Sequence, residues 1–281
     1  MCVILLAFQI DAALPLVIAA NRDEYYARRS EPPLRLSESP RIVGGRDAER
    51  GGTWMGFTDR GFFVGLTNQR TIGPPEPTRR SRGEIVLRAL RAGSVAAVED
   101  LLATTDAREY NPYNLVFGDA GALRIAAARE DEARVSVRAL GPGLHILANE
   151  TLGATSPKVR RVEALVGPWL GRPWAELGPA LERMLADHEV PPLDETPAPP
   201  PWMDRTLAQR LQAICIHTPV YGTRSATVAA IGRRTNSSDD NSAGGGRVLH
   251  YAFAAGAPCD GPTNAPFVDV TALLDGLLDR E

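Results

Sequence analysis

The order of its segments constrains this chain more than any single motif. Residues 3–10 and 16–21 are two β-prone apolar runs separated by Asp11-Ala12-Ala13-Leu14-Pro15, which reads as a hairpin. Residues 41–70 alternate Gly-rich turns with short apolar runs, as a meander of strands does. From Ser81, "SRGEIVLRALRAG" and "SVAAVEDLLATT" have helical spacing with a glycine break between them, an αα-hairpin. Residues 113–128 and 133–150 return to strands, and "SPKVRRVEALVGPWL" and "WAELGPALERMLADHEV" read as helices. "ICIHTPVYGTRSATVAAIG" and "RVLHYAFAA" read as closing strands joined by a mobile hairpin connection, "RRTNSSDDNSAGGG". The Pro-rich residues 190–202 form an extended loop too short for an interdomain linker, and there is no internal repeat. Strands, helices, strands, helices, strands, taken as one domain over residues 1–281, predict an α+β fold: two antiparallel sheets packed together and flanked by helices.

A core is within reach of this composition, with 44% hydrophobic and 23% charged residues. The net charge of -3 argues against nucleic acid or an acidic membrane surface as a partner. The three cysteines, Cys2, Cys215 and Cys259, are too few and too scattered for a disulfide framework, which favours a reducing compartment. No basic residue precedes Arg22, and Gln9, Asp11 and Pro15 interrupt the first apolar run, so it does not read as an export signal. No stretch reaches the length of a membrane span. The expectation is a soluble, cytoplasmic protein with no integral membrane association.

The hairpin gives position 2 a meaning. With its turn centred near Ala12 or Ala13, antiparallel partners sum to about 25 or 26, which sets Cys2 opposite Asp23 or Glu24 of "NRDE". Removal of Met1 would leave Cys2 with thiol and α-amine on one carbon. That amine is more acidic than a lysine amine and can act as base for the thiol, so no separate histidine is required. The four histidines show no Cys–His motif. Attack on a carbonyl also needs oxyanion donors and a group that orients the amine. Polar clusters at strand ends supply candidates: Arg22 and Asp23, Asn68 and Arg70 of "LTNQR", Asn149 of "LANE", and Tyr221 and Arg224 of "YGTR". Trp54, after the Gly-Gly turn, reads as core or pocket wall, Glu24 as a structural or supporting residue, and the glycines before Trp54 supply positive φ. Lys158, the sole lysine among 31 basic residues, reads as a surface residue at a helix start. Cys215 and Cys259 read as buried or idle thiols. No cluster has zinc spacing, so no metal site is expected, and the glycine-rich stretches lack the lysine of a phosphate loop.

These stretches together ("MC", "NRDE", "GGRDAERGGTWMG", "GLTNQR", "SRGEIV", "YNPYNLVFGD", "LANETL", "SPKV" and "YGTRSATV") resemble the NRDE family, also called the transport and Golgi organisation family. The resemblance runs from Met1 to about Val228. It implies an N-terminal nucleophile (Ntn) hydrolase-like fold, a four-layer αββα sandwich. A more distant resemblance, to the cholylglycine hydrolase and penicillin V acylase group, implies roles. Asp23 matches that group's aspartate, Asn68 and Asn149 resemble its oxyanion asparagines, and Arg224 resembles the arginine near the nucleophile. The group's other arginine position is Ala20 here, leaving Arg22 to approach from a different direction.

Two functions follow. In the first, Cys2 attacks an amide C–N bond of a small acylated substrate and passes through a thioester, with Asp23 orienting the amine, Asn68 and Asn149 stabilising the oxyanion, and no cofactor required. Arg22, Trp54, Arg70 and Tyr221 then contact substrate. In the second, the fold binds or carries a hydrophobic ligand, haem or an acyl lipid, without turnover, and Cys2 is an axial thiolate or a redox-sensitive pocket residue.

Overall fold

The protein is described from a computed structural model, over residues 3–69, 71, 73, 75–130, 132–150, 152–233, 246–261 and 263–275. The elements in chain order are β1 (Val3–Phe8), β2 (Leu16–Tyr25), β3 (Ser30–Glu38), β4 (Arg41–Asp47), β5 (Met55–Thr58) and β6 (Phe63–Asn68), then α1 (Arg82–Ala92) and α2 (Val95–Ala103). There follow β7 (Tyr113–Gly118), β8 (Leu123–Ala128), β9 (Ser136–Leu140) and β10 (Gly143–Leu147), then α3 (Pro157–Val166), α4 (Trp174–Leu185) and α5 (Arg205–Arg210). The chain closes with β11 (Tyr221–Arg233), β12 (Gly246–Ala255) and β13 (Phe267–Asp269).

Two antiparallel sheets result. One has six strands in the order β10-β1-β2-β11-β12-β13, and the other is a seven-stranded meander, β3 to β9 in sequence order. Period-2 alternation decides what each face touches. Ile4, Leu6, Leu16, Ile18 and Ile231 of the first sheet pack on Val43, Met55, Phe57, Phe63 and Val116 of the second. The alternate residues Val3, Leu5, Val17, Ala19 and Val228 meet Val159, Val162, Leu177 and Leu181 of α3 and α4. On the far side, Val64, Leu66, Leu115 and Phe117 meet Ile85, Val86, Val98 and Leu102 of α1 and α2. The layers therefore run helix, sheet, sheet, helix: the four-layer αββα sandwich is borne out. The glycine break between α1 and α2 is a left-handed C-cap, Gly93 at φ 69°, followed by Ser94, which caps α2 by accepting from the Ala97 amide.

Several local expectations change. Val3 pairs with Asn21 and Ile4 with Ala20, so partners in the first hairpin sum to 24 rather than 25 or 26. The meander starts earlier than Arg41, with β3, whose Pro32 and Pro33 fall at a register break on an edge strand, where prolines remove no ladder bond. The stretch from Ile214 is not strand throughout. β11 begins at Tyr221, and α5, which the sequence does not announce, precedes it. The connection at residues 234–245 lies outside the described residues. Among the described residues no helix is long and apolar enough to cross a membrane.

Candidate functional site

The end of β2 splits "NRDE" between two faces. Asn21, only 1% exposed, points towards the helical layer, where its amide donates to the carbonyls of Leu185 (2.8 Å) and Ile214 (3.0 Å). Arg22, the next residue, lies between the sheets with its guanidinium 4.3 Å from the Trp54 ring centroid and reaching Ser30 Oγ. A desolvated cation–π contact of this kind is worth roughly 2 kcal/mol. Asp23 is buried again and accepts a hydrogen bond from Thr223 Oγ1 at 2.7 Å on the neighbouring strand. Tyr221 donates its hydroxyl to the Asp23 carbonyl at 2.9 Å.

Burial pushes the Asp23 carboxyl above its ordinary value of 3.8, and the strongest influence against that rise is the positive charge of Lys158. This corrects the surface reading of Lys158. The residue does start α3, but it is only 3% exposed. An ammonium at a helix N-terminus opposes the macrodipole, and burial penalises it further. The Asp23 carboxylate is the compensating charge. The sole lysine of an arginine-rich chain was the available signal, and nothing local revealed its burial.

Asn68 and Asn149 come from different sheets and are brought together. The Asn149 amide donates to the Asn68 carbonyl at 2.6 Å. Thr67 Oγ1 donates to the Ala148 carbonyl, and the Asn114 amide donates both to Thr67 Oγ1 and to the Glu150 carbonyl. Gln69 then donates to Asn114 Oδ1 at 2.8 Å. This network pins the 148–150 loop to the end of β6. It draws on Asn114 and Gln69, to which the sequence assigned no role although "YNLVFGD" contains one of them.

Arg22, Asp23, Trp54, Asn68 and Tyr221 line one polar cleft of about 410 Å³. It adjoins a more apolar groove of about 430 Å³, which shares Tyr25, Asn68 and Tyr221 and adds Asn149, Trp202, Met203, Leu207 and Val220. Arg224 is not in this group. A register shift between β11 and β2 leaves it as the extra residue between Thr223 and Ser225, and the bulge re-aims its side chain. Arg224 donates to the Tyr26 carbonyl at 3.0 Å and lines a separate cavity of about 480 Å³ on the other side of Trp54. Cys2 and Arg70 lie outside the described residues.

The turn before Trp54 combines two demands. Gly51 has φ +70°, as expected, but Gly52 is required by a close approach: a Cβ there would stand 2.6 Å from the Gly83 carbonyl carbon. Asp47 organises the same turn. Burial works against its charge, yet the hydrogen bond from Arg28 and the amides of Glu49 and Arg50 hold its carboxyl below 3.8. The folded protein thus keeps Asp47 ionised to lower pH than the unfolded chain does. Its stabilising contribution is present above 3.8 and lost as pH falls through the native value. Asp47→Asn should lower stability by about 1–2 kcal/mol near neutrality and flatten this part of the acid limb, followed by denaturant unfolding at stepped pH. An unchanged limb would show that these bonds do not set the carboxyl's affinity for protons.

The thiols expected to be idle are not scattered. Cys215 Sγ lies 2.9 Å from Cys259 Sγ, and His217 Nε2 lies 2.7 Å from Cys259 Sγ. Sequence spacing hid this grouping, because Cys259 arrives on a turn after two further strands.

The comparison that decides kinship covers most of the chain: the family model described as Transport and Golgi organisation 2 matches residues 1–238. The chain belongs to this family. Its members include the Transport and Golgi organization protein 2 homolog of Bos taurus, 27% identical over 252 residues, covering 82% of this chain and 88% of the relative. The Mus musculus homolog is 27% identical over 251 residues with the same coverage. Among solved structures, the chain is similar to a Caenorhabditis elegans N-acylethanolamine-hydrolyzing acid amidase ortholog, with TM-score 0.47 and 12% identity over 88% of this chain and 100% of that one. It is also similar to penicillin V acylase from Agrobacterium tumefaciens, with TM-score 0.41 and 12% identity over 90% and 83% of the two chains.

Proposed function

We propose that this member of the Transport and Golgi organisation 2 family is an N-terminal-cysteine hydrolase that cleaves the amide bond of a small acylated substrate. The observation that carries the reading is the pairing of a polar cleft, with buried Asp23 in its wall, and an adjoining apolar groove. An acylated amide has these two halves, a polar scissile group and an apolar tail. In this mechanism the Cys2 thiol attacks the carbonyl carbon as its α-amine takes the thiol proton. The amine then gives that proton to the leaving nitrogen as the C–N bond breaks. A water, deprotonated by the same amine, attacks the thioester, and the amine returns the proton to the Cys2 sulfur as the C–S bond breaks and the acid leaves. Asp23 orients the amine, and the side-chain amides of Asn68 and Asn149 serve the oxyanion. The bond from Asn149 to the Asn68 carbonyl uses one of its two amide hydrogens and leaves the other for substrate. Arg22, Trp54, Arg70 and Tyr221 belong to the substrate's surroundings. Arg224, facing the separate cavity, contributes through the field it sets up rather than by contact.

The experiment is intact mass and iodoacetamide labelling of protein expressed without an N-terminal tag, mapped by peptide, followed by a screen of N-acyl amides. Loss of Met1, labelling of Cys2 well ahead of Cys215 and Cys259, and saturable hydrolysis that requires Cys2 are expected. Retained Met1, or a Cys2 that labels as an ordinary thiol, overturns catalysis. A second reading, a carrier of haem or acyl lipid, draws support from the exposure of Tyr25 (59%), Trp202 (54%) and Val220 (63%) around the groove. A haem spectral shift abolished by Cys2→Ala, without hydrolysis, would favour it.

A further inference from the structure

Cys215, His217 and Cys259 place two sulfurs and one imidazole nitrogen within 4.8 Å of one another, outside the Asp23 cleft. Three features make this a built arrangement. Cys215 and His217 are two residues apart in sequence and bring Sγ and Nε2 to 3.8 Å of each other. That stretch is held firmly: the Cys215 amide donates to the Asp187 carbonyl, and Ile216 and Thr223 exchange hydrogen bonds at 2.9 Å in both directions. Cys259 arrives from the other side on the single helical turn Pro258–Asp260.

We propose that these three residues bind a zinc ion with an exchangeable fourth position. Two thiolates and a neutral imidazole match zinc in softness and cancel its charge, and three protein ligands with an open place is the pattern of reactive rather than structural zinc. Tetrahedral bonding spaces such donors roughly 3.4–3.8 Å apart. Cys215 Sγ and His217 Nε2 already stand 3.8 Å apart, while Cys259 Sγ is nearer to both, at 2.9 and 2.7 Å. Only the Cys259 turn has to move outward, and it is the partly exposed member of the set. His217 and Asp260 line the 480 Å³ cavity that also holds Arg224. The fourth position faces this cavity, where it takes water or an anionic ligand.

The test is a titration of the reduced, chelator-dialysed full chain with Co²⁺, displaced by Zn²⁺. One equivalent should bind with thiolate-to-cobalt absorption in the near ultraviolet. Cys259→Ser should weaken binding at least tenfold and reduce that band. His217→Gln should weaken binding with the band retained, and circular dichroism should show both variants folded. Cys2→Ala should bind as the parent does, which separates this site from the proposed nucleophile. The assignment is overturned by substoichiometric binding, by binding unaffected in Cys259→Ser, by loss of binding in Cys2→Ala, or by uptake of Cu⁺ with refusal of Co²⁺ and Zn²⁺.

Discussion

Asp23→Asn should, on the proposed reading, slow hydrolysis by roughly 10²–10⁴-fold while leaving the protein no less stable at neutral pH. The substitution is nearly isosteric, and its side-chain oxygen can still accept from Thr223. What it removes is the negative charge beside buried Lys158. Burial already penalises that charge by more than Lys158 offsets, since the carboxyl is held above 3.8, so its neutral isostere is not expected to be costly. Lys158→Met, which leaves the carboxylate buried without its cation, is the costly single change, and adding Asp23→Leu should recover most of the stability and none of the activity. That divergence distinguishes a positioning role from a merely structural one. If the double variant is no more stable than the single, the two charges are not coupled, and the account of Lys158 fails.

The pH dependence carries the opposite sign from that of Asp47. Burial raises the Asp23 carboxyl above 3.8, so the native state holds this proton to higher pH than the unfolded chain. Between 3.8 and the native value the unfolded state binds fewer protons, and the contribution to stability grows as pH falls. Subtracting the Asp23→Asn curve from the parent curve isolates it. A parent-minus-variant stability that falls on acidification through this window would contradict burial as the dominant influence.

Asn21→Ala should cost roughly 2–4 kcal/mol, because it strands two buried carbonyls, those of Leu185 and Ile214, that its amide now serves. In a chain of this size that corresponds to a fall in Tm of about 3–7 °C. Asn21→Asp is the sharper probe. It keeps the shape but turns an acceptor-only, charged group towards two carbonyl oxygens, so it should be less stable than the alanine variant. Thermal unfolding of the two side by side decides the matter. Equal stabilities would mean that the amide bonds contribute little and that Asn21 matters only for volume. The first residue of "NRDE" is thus a fastener between β2 and the helical layer, which keeps Asp23 in register with Thr223.

By itself the sequence determined the layers. Apolar alternation in residues 3–21, Gly-punctuated runs in 41–70 and helical spacing after Ser81 are short-range properties, and each survives in β1–β2, β4–β6 and α1–α2. Strand-end polar clusters were legible for the same reason, and the fold sets Asp23, Asn68 and Tyr221 around one cleft. Tertiary structure decided what depends on long-range sums. A bulge that turns Arg224 to another cavity and the 4.8 Å grouping of Cys215, His217 and Cys259 both arise from how segments far apart in sequence come together. The burial of Lys158 belongs here too. A lysine at a helix start is ordinarily solvated, and only the packing of the helical layer over the first sheet, with the Asp23 charge acting on it, makes it an interior charge.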